Sequence, residues 1–149
     1  MAGKVPVRGS GAFEWNAGGW WGSQIGGTAW MLAVGIGIAF QDIRPAAVMI
    51  AGGIVSNIVG TWLWCRRDRV SPHRAIQTLL GVIGVCALAG IVSLDAFGHV
   101  PANQRLLVYW WLVFIPGLML MFYLREREAA AAQKRTTPHA GRGNEGDGE

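Results

Sequence analysis

Charged side chains are scarce in this sequence of 149 residues: 15% of the residues are Asp, Glu, Lys or Arg, whereas 52% are hydrophobic. A soluble domain scatters its apolar residues through short amphipathic elements, but here the charges are missing from four long blocks. The blocks cover residues 20–40, 46–65, 75–94 and 106–124. This composition argues against an ordinary soluble domain and favours a membrane protein.

Reactive groups are also scarce. The two cysteines, Cys65 and Cys86, are too few and too far apart for the disulfide framework of a secreted protein. Apart from Cys86, the block centres contain no ionisable residue, which argues against a proton-coupled carrier or a voltage sensor. The three histidines fall in separate segments, and neither a metal-ligand spacing nor a phosphate-binding loop is present. We therefore predict no metal, no cofactor and no enzymatic activity.

Each block is roughly 20 residues long, which as a helix spans a hydrocarbon core of about 30 Å. Membrane-spanning strands would instead need in-out alternation, and these blocks are apolar on every face. The predicted fold is thus an all-α integral membrane protein with four transmembrane helices in two antiparallel hairpins. Short links support the hairpins, with Pro45 at a predicted first helical position and Ser71 as a predicted N-cap before Pro72.

The basic residues predict the orientation of the chain. Every Lys and Arg except Arg44 and Arg105 lies before the first block, between the second and third, or after the fourth. Short loops rich in Lys and Arg stay on the cytoplasmic side, so both termini are predicted to be cytoplasmic. The partners expected there are anionic lipid headgroups, whereas no nucleic-acid recognition motif accompanies the basic residues. The short loops favour a bacterial inner membrane, without excluding a eukaryotic one.

Small residues recur at four-residue spacing in the first two blocks. This spacing lets helix backbones approach closely where lipid supplies no hydrophobic drive for association. It predicts tight helix packing inside the chain, with an interface between subunits as the alternative. The residues in these stripes are Gly18, Gly22 and Gly26 in the first helix, and Gly52, Ser56 and Gly60 in the second.

Polar residues of the first two helices form a second candidate feature. Gln24 and Thr28 in the first block, and Asn57 and Thr61 in the second, all fall in the predicted cytoplasmic half. A side-chain amide in hydrocarbon needs a partner, so we expect Gln24 and Asn57 to hydrogen-bond to each other. Such bonds could simply join the helices. The alternative is a polar vestibule, open to the cytoplasm, that binds a small ligand or a lipid headgroup.

The sequence predicts three regions. Residues 1–12 form a flexible lead, 13–125 form the transmembrane domain, in which 13–19 could be interfacial or re-entrant, and 126–149 form a tail. The alanine-rich start of the tail favours continued helix, and its polar end favours disorder. Within the fourth helix, Pro116 and Gly117 predict a kink.

The function is predicted mainly from the absence of a metal-ligand spacing, a phosphate-binding loop and ionisable residues in the block centres. The leading hypothesis is a non-enzymatic accessory or scaffold component that packs against other membrane proteins and lipids. The runner-up is a homo-oligomeric transporter or channel in which Gln24, Thr28, Asn57 and Thr61 face the path. A third hypothesis is a membrane enzyme that uses Glu14 or cytoplasmic loop residues on a lipid substrate.

Overall fold

The computed structural model describes residues 12–136, and these form helices and turns with no strand among them. The predicted flexible lead, up to residue 11, and the predicted disorder from residue 137 onward lie outside the described residues. The helices are α1 (Ala17–Ala39), α2 (Ile43–Cys65), α3 (Pro72–Ala96), α4 (Arg105–Trp110) and α5 (Phe114–Thr136), with a 3₁₀ turn over Trp111–Val113 between the last two.

Polar caps start the first two helices earlier than the apolar blocks begin. The Asn16 side chain accepts a hydrogen bond from the Gly19 N–H at 3.1 Å, and the Asp42 side chain accepts one from the Arg44 N–H at 3.0 Å. Pro45 was predicted to be the first residue of α2, but it is the third, because the helix begins at Ile43. The position suits proline because the first four N–H groups of a helix have no partner within it. Ser71 stands before Pro72 as predicted, but its side chain makes no capping bond.

Proline also explains the irregular turn near the start of the last helix. Pro116 has no N–H to donate to the carbonyl of Leu112, and its ring crowds that carbonyl. The 3₁₀ turn over Trp111–Val113 falls on this preceding turn, after which α5 continues to Thr136. This change of helix type is local, and α4, the turn and α5 form one helical run. The kink expected at Pro116 and Gly117 stays a prediction.

The helices pack in chain order. Helix α1 lies against α2, α2 against α3, and α3 against α5. The most deeply buried side chains come from α1, α2 and α3, and include Met31, Met49, Leu63 and Leu79. The membrane-length part of the last run contains no buried residue. The first three helices therefore form the packed body, and the last helical run is attached to its side.

Among residues 12–136, three helices are long and apolar enough to cross a membrane: Ile43–Cys65, Pro72–Ala96 and Arg105–Gln133. Helix α1 has no charged residue, but Gly, Trp, Gln and Thr lower its hydropathy and it is not one of the three. The structure thus supports an all-α protein with three helices of membrane length, one fewer than predicted. Below, the basic end is the end of the helices that carries Trp64 and Arg66, and the opposite end carries Asp42 and Arg105.

Candidate functional site

The structure brings the four predicted polar residues together in one hydrogen-bonded cluster between α1 and α2. The Gln24 Nε2 amide donates to the Asn57 carbonyl oxygen at 2.9 Å and to Asn57 Oδ1 at 3.1 Å. A longer contact of 3.4 Å reaches Thr61 Oγ1. The Asn57 Nδ2 group donates to Thr28 Oγ1 and to the Gly53 carbonyl, both at 2.8 Å. The two amides thus join the helices, as expected from their depth.

Gly60 allows Gln24 to lie on the backbone of α2. A Cβ atom at position 60 would stand 2.5 Å from both Cδ and Oε1 of Gln24. Gly60 carries a hydrogen where other residues carry Cβ, and this hydrogen points towards Oε1 of Gln24. This arrangement is that of a weak Cα–H···O contact at a helix interface. Oε1 has no other hydrogen-bond partner in the described part of the chain. The polar cluster and the α2 glycine stripe consequently form a single contact.

Burial limits what the cluster can bind. Gln24 and Thr28 are only 2% and 1% exposed. Asn57 is half-buried and Thr61 is exposed, and both line an open groove on the outside of α2 with Leu32, Ile58 and Trp62. A ligand approaching this structure would reach Asn57 and Thr61 from the outer side of α2 without touching Gln24. The arrangement is better suited to joining two helices than to forming a polar vestibule.

The two glycine stripes have different surroundings. On α2, Gly52 faces Cys86 of α3, and Ser56 is fully buried with no partner for its Oγ among the described residues. On α1, a Cβ atom at Gly22 or at Gly26 would meet no atom within 4 Å. One at Gly18 would meet only the side chain of Asn16, the N-cap residue of α1. The α1 stripe therefore lies outside the contact between α1 and α2.

Glycines outside the predicted stripes make the other close approaches between α1 and α2. A Cβ atom at Gly35 would stand 2.7 Å from Ile50 Cγ1, and one at Gly53 would stand 2.7 Å from Leu32 Cδ2. Both glycines are buried. Spacing alone could not select them, because glycine is frequent throughout both helices. At Gly117, by contrast, a Cβ atom would meet nothing within 4 Å.

An aromatic cluster at the basic end was not predicted as a unit. Trp15, in the extended segment before α1, packs against Trp20 and Trp64 with ring centroids 5.1 and 5.6 Å away. Phe13 packs on His73 and Phe122, with centroids at 6.0 and 5.4 Å. The segment that contains Phe13 and Trp15 therefore runs across the basic end, and its Glu14 side chain is exposed. Tryptophan-rich composition was the available signal, but it does not show which rings meet.

Charged side chains join the loops at the opposite end. Arg44 donates from Nε and Nη2 to the Asp42 carboxylate, and these bonds lower the pKa of Asp42 to about 2. His99 Nε2 lies 3.7 Å from Asp42 Oδ2, which brings the loop before α4 to the loop before α2. Separately, Arg105 Nε donates to Asp95 Oδ1 at 2.7 Å. These contacts lie at the ends of the helices, outside the polar cluster.

A cleft of about 500 Å³ separates α1 from the α4 run, and we call it the α1–α4 cleft. Its floor is the α3 face formed by Ala87, Ile91 and Leu94, and Trp30 and Trp111 stand on its two sides. The cleft exists because α3 contacts both helices while the last run leans away from α1. No predicted site residue lines it.

Comparison with known proteins adds no constraint on function. No family model matches the chain, and neither a curated protein nor a solved structure shows significant similarity to it.

Proposed function

We propose that this protein is a non-enzymatic multi-pass membrane component, an accessory or scaffold subunit that binds another membrane protein through the glycine face of α1. The observation that carries the proposal is the open surface at Gly22 and Gly26, where an added Cβ would meet no atom within 4 Å. Glycines at this spacing allow a second helix to approach closely, and the described part of the chain places no helix there. The helix that uses this face would come from another molecule.

The proposal includes α1 as a fourth membrane crossing. Helix α1 follows α2 along its length, from Gly35 beside Ala46 and Ile50 to Gln24 beside Gly60. Because α2 is long and apolar enough to cross a membrane, a helix packed against all of it lies at the same depth. The polar atoms of α1 do not oppose this, since Gln24 and Thr28 are buried and hydrogen-bonded to α2.

The proposed orientation puts the basic end in the cytoplasm, with both termini on that side. Arg66, Arg67, Arg69 and Arg74 surround the turn between α2 and α3, and such clusters stay cytoplasmic. Arg66 and Arg67 stack over Trp62 and Trp64, 4.3 and 5.0 Å from the ring centroids. Their guanidinium groups are thereby held beside interface tryptophans, where anionic headgroups lie. A bacterial inner membrane is the proposed location.

Partner capture with matched glycine variants tests the proposal. The full chain is purified from its own host in a mild detergent, and stoichiometric companions are identified. We expect Gly22→Leu combined with Gly26→Leu to lose the companion, because the added side chains prevent close approach. Gly37→Leu is the control, since Gly37 is exposed on the same helix and also has no atom within 4 Å of its Cβ position. If the parent chain, the double variant and Gly37→Leu all capture the companion equally, the proposal is contradicted.

The runner-up proposal is a homo-oligomeric transporter or channel. Asn57 and Thr61 support it, because they place polar atoms in the groove on the outside of α2. A polar path would then run between copies of the chain and not through one copy. A pure homo-oligomer that carries solute flux in liposomes, with flux lost in Thr61→Leu, would favour this proposal. An inactive homo-oligomer would leave self-association as the role of the glycine face.

A further inference from the structure

A short extended segment, residues 12–16, crosses the basic end of the molecule before α1 begins, and we call it the N-terminal strap. Its Trp15 ring packs on Trp20 of α1 and on Trp64 of α2, with ring centroids 5.1 and 5.6 Å away. Trp15 is half-buried, and Trp20 is buried. One side of the strap is thereby fixed to the tightly packed α1–α2 pair.

The other side of the strap lies on the last helical run. Phe13 packs edge-on against Phe122 of α5, with ring centroids 5.4 Å apart, and it also contacts the ring of His73 of α3. The Ala12 N–H donates a hydrogen bond to the Glu126 carboxylate at 2.8 Å. Edge-on pairing is a favoured geometry for aromatic rings, and a charged acceptor strengthens a hydrogen bond. The strap therefore reaches α5 through two separate contacts.

These contacts matter because α5 is otherwise weakly held. The membrane-length part of the last run buries no residue. Helix α5 packs against α3, whereas α1 packs mainly against α2. Between α3 and α5, Gln77 Nε2 donates one hydrogen bond to the Met119 carbonyl. The strap thus adds a connection between the α1–α2 pair and a helix that packs mainly on α3.

Side chains, and not the backbone, hold the strap in place. Among the described residues, the backbone groups of Phe13, Glu14 and Trp15 make no hydrogen bond. A segment with so few hydrogen bonds opens at a lower free energy than the global unfolding of the chain. The strap can therefore detach while the helices stay folded.

We propose that the N-terminal strap is a releasable connection that couples the α1–α2 pair to the basic end of the last helical run. With the strap in place, Ala12 and Phe13 hold α5 beside α3. With the strap released, this part of α5 is held by its own contacts with α3 and moves more freely. The proposal uses contacts at the basic end, and it does not depend on the partner proposed for the glycine face.

Hydrogen exchange of the full chain in a mild detergent tests the coupling, with Trp15→Ala as the main variant. The ring contacts of Trp15 are to α1 and α2, so a purely local effect would not reach α5. We expect exchange to become several-fold faster at the α5 amides of residues 118–126, with α2 and α3 unchanged. Trp21→Ala is the control, because Trp21 is also half-buried and packs on Trp64 but lies outside the strap.

The pattern of exchange decides the outcome. Unchanged exchange in α5 of Trp15→Ala, or an equal change in Trp21→Ala, would overturn the proposal. Faster exchange throughout the helices of Trp15→Ala would also overturn it, because Trp15 would then stabilise the whole body. Phe13→Ala removes the contact with α5 directly and should accelerate exchange there by roughly tenfold. Its control is Glu14→Ala, since the Glu14 side chain is exposed.

A surface substitution keeps the test decisive if Trp15→Ala fails to fold. Glu126→Gln removes the charge that accepts the Ala12 N–H, and Glu128→Gln is the control on an exposed part of the same helix. A Glu-specific protease reports strap release by cutting after Glu14, because cleavage follows the population of the open segment. We expect Glu126→Gln to be cut at this position several-fold faster than Glu128→Gln. Equal cleavage of the two variants would overturn the proposal.

Discussion

Between α1 and α2, side chains of one helix rest directly on the backbone of the other, at Gly35, Gly53 and Gly60. Hydrogen bonds from Gln24 and Asn57 then join the two helices. Between α3 and the last helical run, Ile115 lies beside Gly84 and Gln77 Nε2 donates to the Met119 carbonyl at 2.8 Å. At the end of α3, Asp95 also accepts hydrogen bonds from Arg105 and Tyr109 of α4. The apolar part of that run buries no residue.

The difference reflects how helices associate in lipid. Apolar side chains gain little by leaving lipid for another apolar surface, so close backbone approach and polar contacts decide which helices stay together. The α1–α2 pair has both within its buried contact, whereas the last run makes one close approach at Gly84, one hydrogen bond along the helices from Gln77, and the bonds to Asp95 at the helix end. We therefore expect substitutions in the first pair to change the stability of the whole chain, and those beside the last run to act locally.

The largest effect is expected from Gly60→Leu. The new side chain would occupy the space of the Gln24 amide, so it would overpack the contact and displace its hydrogen bonds. We expect a loss of about 3 kcal/mol in the free energy of unfolding, from overpacking and lost polar contacts together. Steric-trapping measurements in detergent would give this value. Gly26→Leu, at an open position of α1, should change the stability of the isolated chain by less than about 0.5 kcal/mol.

A smaller loss is expected from Asn57→Leu. This change removes the acceptor Oδ1 for Gln24 and the donor Nδ2 for Thr28. Polar contacts between membrane helices contribute about 0.6 to 1.7 kcal/mol, so we expect a loss in that range. In a double-mutant cycle with Gln24→Leu, the two losses should sum to more than the loss in the double variant, because the residues share bonds. Strict additivity would show that the amides stabilise the chain separately.

Gln77→Leu should have a smaller and local effect. It removes the hydrogen bond to the Met119 carbonyl and should cost about 0.6 kcal/mol. Hydrogen exchange should become faster in α5 while α1 and α2 keep their protection. Thr78→Val is the control, because the Thr78 hydroxyl donates to the Arg74 carbonyl of its own helix and to no other group among the described residues. Faster exchange throughout the chain would show that the last run is more firmly integrated than its contacts indicate.

The smallest effect is expected at the loop before α2. Hydrogen bonds from Arg44 lower the pKa of Asp42 from 3.8 to about 2. A lowered pKa in the folded state means that the stabilising contribution is present above pH 4 and is lost as the pH falls towards 2. His99 is the other charged or titratable group beside this carboxylate. We therefore expect Asp42→Asn to lower the melting temperature slightly at pH 7, with the difference shrinking between pH 4 and pH 2.

Sequence reasoning predicted an all-helical chain because long uncharged segments leave few alternatives, but the described residues contain three helices of membrane length where four were predicted. It placed the starts of α1 and α2 too late, since Asn16 and Asp42 are polar caps that stand outside the apolar blocks. It also identified the four polar residues, because amides in hydrocarbon need partners. Spacing selected Gly60, which lies on the Gln24 amide, but it also selected Gly22 and Gly26, which meet no neighbour, and it did not select Gly35 and Gly53.

The sequence by itself determined that the chain is helical, apolar and basic at one end, because those properties depend on residue type and order alone. Only the tertiary structure decided which face of each helix meets a neighbour, since that depends on helix rotation and on small residues that several faces share. It also decided that α1 presents glycines outward and that a cleft lies between Trp30 and Trp111. The glycines point outward because α2 packs against a different face of α1. The cleft forms because α3 contacts both α1 and α4.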